Sequence, residues 1–270
     1  MSGTPLTLTF PPGAALVAGC GNIGSAVARC LARAGVPVMV TYLENEPRAA
    51  TLAAELSAQG AVAEARRCDF ADSAAVRELL GAAAARFGRV QAVIYCSGPP
   101  IPFLTVRQMP PELLARHLEC DTLGCFRLFH HALPLLAAGG GGSLTACVTM
   151  ANQRTLETDG LSAMPKAAVE SLVRQVAAEE AAHGIRANAV ALGWVGGFAD
   201  SFAAARSYTA AMSGPQAAPT RALMEHLMAL IRMGRPGTPA EVAHIVAFLA
   251  SQQASYVTGC LVPAAGGATL

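Results

Sequence analysis

The stretch Ala15-Leu16-Val17-Ala18-Gly19-Cys20-Gly21-Asn22-Ile23-Gly24 opens on an apolar run of strand length, breaks at glycines and passes directly into an Ala-rich segment with helical periodicity. Glycines between a strand and a helix say more than their spacing alone. Gly19 permits the tight turn, Gly21 lets the backbone approach a pyrophosphate, and Gly24 allows the helix to pack on the strand. Asn22 and Ile23 start the helix, where backbone amides face an anion. The turn points to a bound dinucleotide.

Outward from that turn, apolar runs recur at 15–19, 36–42, 61–67, 91–96, 143–149, 186–192 and 259–263, separated by helical patterns near 23–34, 48–59, 73–87, 111–137, 163–183 and 239–250. This alternation predicts an α/β fold of the doubly wound Rossmann kind: a seven-stranded parallel sheet with helices on both faces, forming one domain over residues 1–270. An apolar content of 53% supplies ample core, and a net charge of +1 without a basic stripe argues against nucleic-acid binding. No secretory leader and no apolar run of about eighteen residues is visible, so a soluble cytoplasmic protein without membrane association is expected. The eight cysteines lack ligand-like spacing, and no metal is expected. Gly139–Gly142 reads as a simple connector. The Ala/Met/Phe-rich segment 196–234, with a break at Gly214-Pro215, reads as a substrate lid.

Coenzyme choice in such folds is read at the end of the second strand, here Val40-Thr41-Tyr42-Leu43. The absence of a carboxylate there disfavours NAD. No arginine replaces it, and Glu44 and Arg48 follow with opposite implications, so NADP is preferred and NAD stays open. Tyr42, then Asp69-Phe70 after the third strand, Ser97-Gly98 after the fourth and Val195 after the sixth complete the residues assigned to the cofactor. Asp69 is expected to accept from the adenine amino group, and Ser97-Gly98 to give the ribose room.

Lysine occurs once, at Lys166, against eighteen arginines. A compact ammonium tunes a neighbour in ways a guanidinium cannot. With the glycine turn, Asp69, Ser97-Gly98, Asp121-Thr122-Leu123-Gly124, Lys166-Ala167-Ala168-Val169, Asn188-Ala189-Val190-Ala191 and the tail from Gly234 to Gly267, the chain resembles the short-chain dehydrogenase/reductase family over nearly its whole length. The resemblance implies slots for Asn, Ser, Tyr and Lys. They hold Asp121, Thr149, Ser162 and Lys166, and the distance from Thr149 to Ser162 keeps the family's thirteen residues. The glycine turn is one residue shorter than the common form, Leu192 replaces a Pro, Gly197 a Thr and Ala265 an acid.

A serine hydroxyl cannot be brought near neutral pH as a phenol beside Lys⁺ can, which makes ordinary ketone reduction doubtful. Asp121 with Ser-x-x-x-Lys is similar to the pattern of 2,4-dienoyl-CoA reductases. The leading expectation is an NADP-dependent reductase of an activated or conjugated carbonyl. Lys166 would bind ribose and supply charge, Ser162 and Thr149 would hydrogen-bond the substrate oxygen, and Asp121 would orient Lys166 or a relay water. The alternative is a non-redox protein on the same fold: a cyclase or lyase, a cofactor-bound regulator or a silent subunit. Tyr208 in the lid is a substitute phenol, whereas Tyr95 and Tyr256 read as packing residues. Asp159 reads as a helix-start charge. A hydrophobic or carrier-bound substrate and a homodimer or homotetramer are expected.

Overall fold

The structure is a computed structural model and describes residues 7–196, 201–214 and 217–270. Seven strands, β1 (Ala14–Ala18), β2 (Val38–Tyr42), β3 (Ala63–Arg67), β4 (Val90–Tyr95), β5 (Gly142–Thr149), β6 (Ile185–Leu192) and β7 (Leu261–Ala264), form one sheet in the order β3-β2-β1-β4-β5-β6-β7. Every pairing is parallel. The order reverses between β1 and β4, the point at which such sheets bind ligands beyond their carboxyl ends.

Successive strand residues point to opposite faces, so a strand buried on both sides must be apolar throughout. In β1, Ala15 and Val17 join one core with α1 (Asn22–Arg33), α2 (Glu46–Ala58) and α9 (Pro239–Ala250). Leu16 and Ala18 join the other, with α3 (Ser73–Phe87), α5 (Gly124–Ala138) and α6 (Gly160–Glu180). All five β1 residues are fully buried.

The single helix expected over 111–137 is divided. It begins as α4 (Pro111–His117), passes through a π-helical turn at Leu118–Leu123 and continues as α5. The apolar period runs on through the π turn, which is why the sequence pattern does not reveal it. The helix expected over 163–183 starts earlier, at Gly160. Within 196–234 the described residues form α7 (Phe202–Ala210) and α8 (Ala217–Leu230). Gly197 and Pro215 lie outside the described residues. Among those described, no helix is long and apolar enough to cross a membrane.

Two glycine positions are fixed by close approach. A Cβ at Gly24 would lie 2.0 Å from the carbonyl oxygen of Gly19, so helix and turn touch there without room for a side chain. Gly141, at φ +102°, would place a Cβ 2.4 Å from the carbonyl oxygen of Gly184. The 139–142 segment is therefore a tight packing turn rather than a simple connector. Gly81, on an exposed face of α3, has open space around it. Gly24→Ala is expected to lower stability by about 1–3 kcal/mol through overpacking. Gly81→Ala should raise it by roughly 0.5–1 kcal/mol through helix propensity alone. Urea unfolding midpoints of the two variants check both signs.

Candidate active site

At the reversal of strand order the loops after β1 and β4 diverge and leave a cleft of about 360 Å³. Of the residues assigned to the cofactor, Gly19, Gly21, Tyr42, Asp69, Phe70, Ser97 and Gly98 line it. Gly19 takes φ +98°, and its amide donates to Thr41 Oγ1 at 3.0 Å, which ties the turn to β2. Gly21 is the N-cap of α1 and provides no side chain to cap it, and the space its Cβ would occupy is empty. Uncapped first-turn amides beside an open cleft suit a phosphate, so these residues fit a dinucleotide.

The other assigned residues are placed differently. Asn22 lies in a neighbouring depression with Arg48, whose Nη2 donates to Asn22 Oδ1 at 2.8 Å. Ile23 packs against the core beneath α1, and Val195 lines a second cavity. Asp69 Oδ1 accepts from the amide of Ala71 at 2.9 Å, forming a turn at the cleft wall. A Cβ at Gly98 would lie 2.7 Å from Asp121 Oδ1, so the missing side chain makes room for that carboxylate.

The second cavity, of about 340 Å³, lies beyond the ends of β5 and β6 and contains Thr149, Ser162 and Lys166. Its walls are mostly apolar: Phe103, Met150 and Trp194, with Met224, Leu227 and Ile231 from α8 and the residue after it. Lys166 Nζ donates to Asp121 Oδ2 at 2.6 Å, and the side chains are 14% and 2% exposed, so this ion pair is largely withdrawn from water. Asp121 comes from the π turn, and Asp121 Oδ1 is buried without a hydrogen-bond partner. Thr122 Oγ1 in the same turn donates to the carbonyl of Pro165 at 2.9 Å, giving a second tie to α6 beside Lys166. Thr149 Oγ1 accepts from the amide of Ala151 at 3.2 Å. The two sequence-distant members, Asp121 and Lys166, are thus in direct contact, and Thr149 and Ser162 line the same cavity as Lys166.

Three expectations about the remaining residues need correction or completion. Tyr208 is 53% exposed on α7 and does not line the cavity. Tyr256 is fully exposed rather than packed, whereas Tyr95 is buried and its hydroxyl donates to Cys120 O of the π turn at 2.6 Å. Asp159 does stand at the start of α6, yet its side chain makes no cap hydrogen bond and lines the cavity. Burial there pushes its carboxyl up to about 6, against the pull of Lys166. Asp159 was hidden in the sequence because an aspartate before a helix is the ordinary cap signal. The apolar segment 196–234 was expected beside the ligand, but the residues of it that reach the cavity, Met224, Leu227 and Ile231, were not singled out, because its helical patches are apolar on more than one face.

The chain is similar to known oxidoreductases over nearly its whole length. The family model described as enoyl-(acyl carrier protein) reductase matches residues 17–269. The chain is 31% identical to cis-4-hydroxycyclohexanecarboxylate dehydrogenase of Sinomonas cyclohexanicum, over 96% of this chain and 98% of that one. It is 30% identical to a hydroxynaphthalene reductase-like protein of Metarhizium robertsii, over 98% and 97% respectively. A solved short-chain type dehydrogenase/reductase from Mycobacterium ulcerans superimposes with a TM-score of 0.85 at 26% identity, covering 97% of this chain and 91% of that one. A glycine turn at the switch point, a lysine on the sixth helix of the sheet and near-complete coverage by these oxidoreductases place the chain in the short-chain dehydrogenase/reductase family.

Proposed function

We propose that the protein is an NADP-dependent reductase of an activated or conjugated carbonyl compound. The observation that carries this reading is the buried pair of Lys166 and Asp121, which holds one ammonium at the wall of an apolar cavity. A fixed positive charge in a site shielded from water stabilises an oxygen that gains negative charge. Gly19, Gly21 and Gly24 with the first turn of α1 would hold the pyrophosphate. Tyr42, Asp69, Phe70, Ser97 and Gly98 would hold the adenosine end, and Lys166 and Val195 the nicotinamide end. When bound, the nicotinamide supplies the hydride.

The protein's own residues then act on the oxygen. Ser162 and Thr149 donate hydrogen bonds to the carbonyl oxygen, and Thr149 keeps its hydroxyl proton for that purpose because its capping bond uses Oγ1 as acceptor. Asp121 fixes the direction of Lys166. The apolar wall, completed by α8 acting as a lid, excludes water and suits a compact hydrophobic substrate. Relatives named for action on hydroxylated rings support a ring-borne carbonyl. Partly exposed Leu123 and Phe126 on the outer side of the α4–α5 segment support assembly as a homodimer or homotetramer.

The NADP preference draws on Arg48, held beside the glycine turn by Asn22. Arg48→Ala is expected to weaken NADPH binding about tenfold while leaving NADH nearly unaffected. Quenching of Trp194, which lines the cavity, reads both cofactors. Equal weakening of both would remove Arg48 from coenzyme selection.

Lys166→Ala leaves the buried Asp121 carboxylate unpaired and should cost about 3–5 kcal/mol. The double variant Lys166→Ala/Asp121→Ala is expected to regain part of that stability and none of the turnover. Denaturant unfolding together with NADPH oxidation on a panel of cyclic and conjugated ketones separates the two effects. Unchanged turnover in the double variant would sink the role given to the pair.

A further inference from the structure

Carbonyl reduction consumes a proton as well as a hydride, and Ser162 occupies the slot in which the family resemblance places a phenol. None of the chain's four tyrosines lines the cavity. Tyr95 donates its proton to the π turn, Tyr208 and Tyr256 are exposed, and Tyr42 stands in the other cleft. The proton must therefore come from another acid or through a relay water.

Asp159, Ser162 and Lys166 follow one another at i, i+3 and i+7, so they share one face of α6, and all three line the cavity. Asp159 contributes the cavity's one carboxyl group among the described residues. Its backbone is held from two sides. The carbonyl of Asp159 accepts from the amides of Ser162 and Ala163 at 3.1 and 3.0 Å, and the amide of Leu104 donates to Thr158 O at 3.0 Å in a bridge that aligns Leu104 with Asp159. Thr158 takes φ +67°, the one non-glycine residue with positive φ among those described. A β-branched residue rarely accepts that conformation, and backbone strain of this kind gathers at functional sites.

The missing cap bond of this carboxylate is the second anomaly. Asn45, Asp72, Ser201 and Thr238 each accept from a backbone amide at the start of α2, α3, α7 and α9. Asp159 is the same kind of residue at the same position on α6 and makes no such bond. Forgoing a cap contact costs about 1 kcal/mol, which an acid aimed at a substrate would justify.

We propose that Asp159 is the proton donor of the reaction, a catalytic residue that stands in for the absent phenol. The proposal rests on the reductase reading above. The substrate carbon receives the hydride pair as the carbonyl π bond opens onto oxygen. The Oδ–H bond of Asp159 breaks, an O–H bond forms on the substrate, and the carboxylate recovers its proton from solvent. The charged group acting on Asp159 is Lys166 on the same face, which is itself paired with Asp121. Burial outweighs the downward pull of Lys166 and keeps the carboxyl up at about 6, within reach of a neutral working pH. Reduction needs the protonated form, so kcat/KM should be level below that value and fall as pH rises through it.

The test compares the full chain with Asp159→Asn, which removes the acid and keeps an equally good helix-start residue. Difference infrared titration without cofactor should show a carboxyl that loses its proton near pH 6 in the parent and is missing from the variant. Titration at the ordinary aspartate value of about 3.9 would overturn the proposal whatever the activity. With NADPH and the ketone panel, the variant should lose about 10²- to 10⁴-fold in kcat and lose the fall above pH 6, with NADPH affinity unchanged. Full turnover with an unaltered pH profile would overturn Asp159 and leave the reductase reading standing. Failure of the parent to oxidise NADPH with any ketone would overturn both.

Discussion

Parallel pairing puts the carboxyl ends of all seven strands on one edge of the sheet, and every chemical feature of this protein follows from that constraint. Each crossover must return across a face, so both faces are covered and both must be apolar. The residues of the two clefts are gathered in and beside the loops at that edge. Gly19 after β1, Ser97 after β4, Thr149 at the end of β5 and Val195 after β6 are separated by long stretches of chain, yet the topology delivers them to the same rim.

The Lys166–Asp121 pair is costly by the same reasoning. Two charges removed from water recover their hydration only through good geometry and further hydrogen bonds, and Asp121 Oδ1 lacks the latter. Such a pair is a poor source of stability. Its value lies in orientation, since it locks α6 to the turn between α4 and α5 and holds an ammonium where apolar walls would otherwise exclude charge.

Legibility in the sequence followed the range of the forces involved. Strand runs and helical periods are local, so the sheet and the helices at 73–87 and 239–250 could be read from residue spacing. The glycine turn was legible because Gly24 must touch Gly19, a demand only one residue type meets. The same logic was invisible at Gly98, whose neighbour Asp121 is remote in sequence. Asp159 carries a signal that a capping residue would also carry, and only the tertiary fold, through Leu104 and Thr158, distinguishes the two.

The π-helical turn at Leu118–Leu123 has a further meaning. A π turn holds one residue more than the α-helical turn it replaces, and each helical residue advances the helix by about 100°. The aim of Asp121 is thus stored in the length of the chain between two helices as well as in the identity of a side chain. Shortening that segment by one residue would restore a continuous α-helix, improve its hydrogen bonding and swing the carboxylate away from Lys166. Evolution could therefore disconnect this site without altering any of the residues that compose it, and a gap of one position in an alignment would be the whole record of the change.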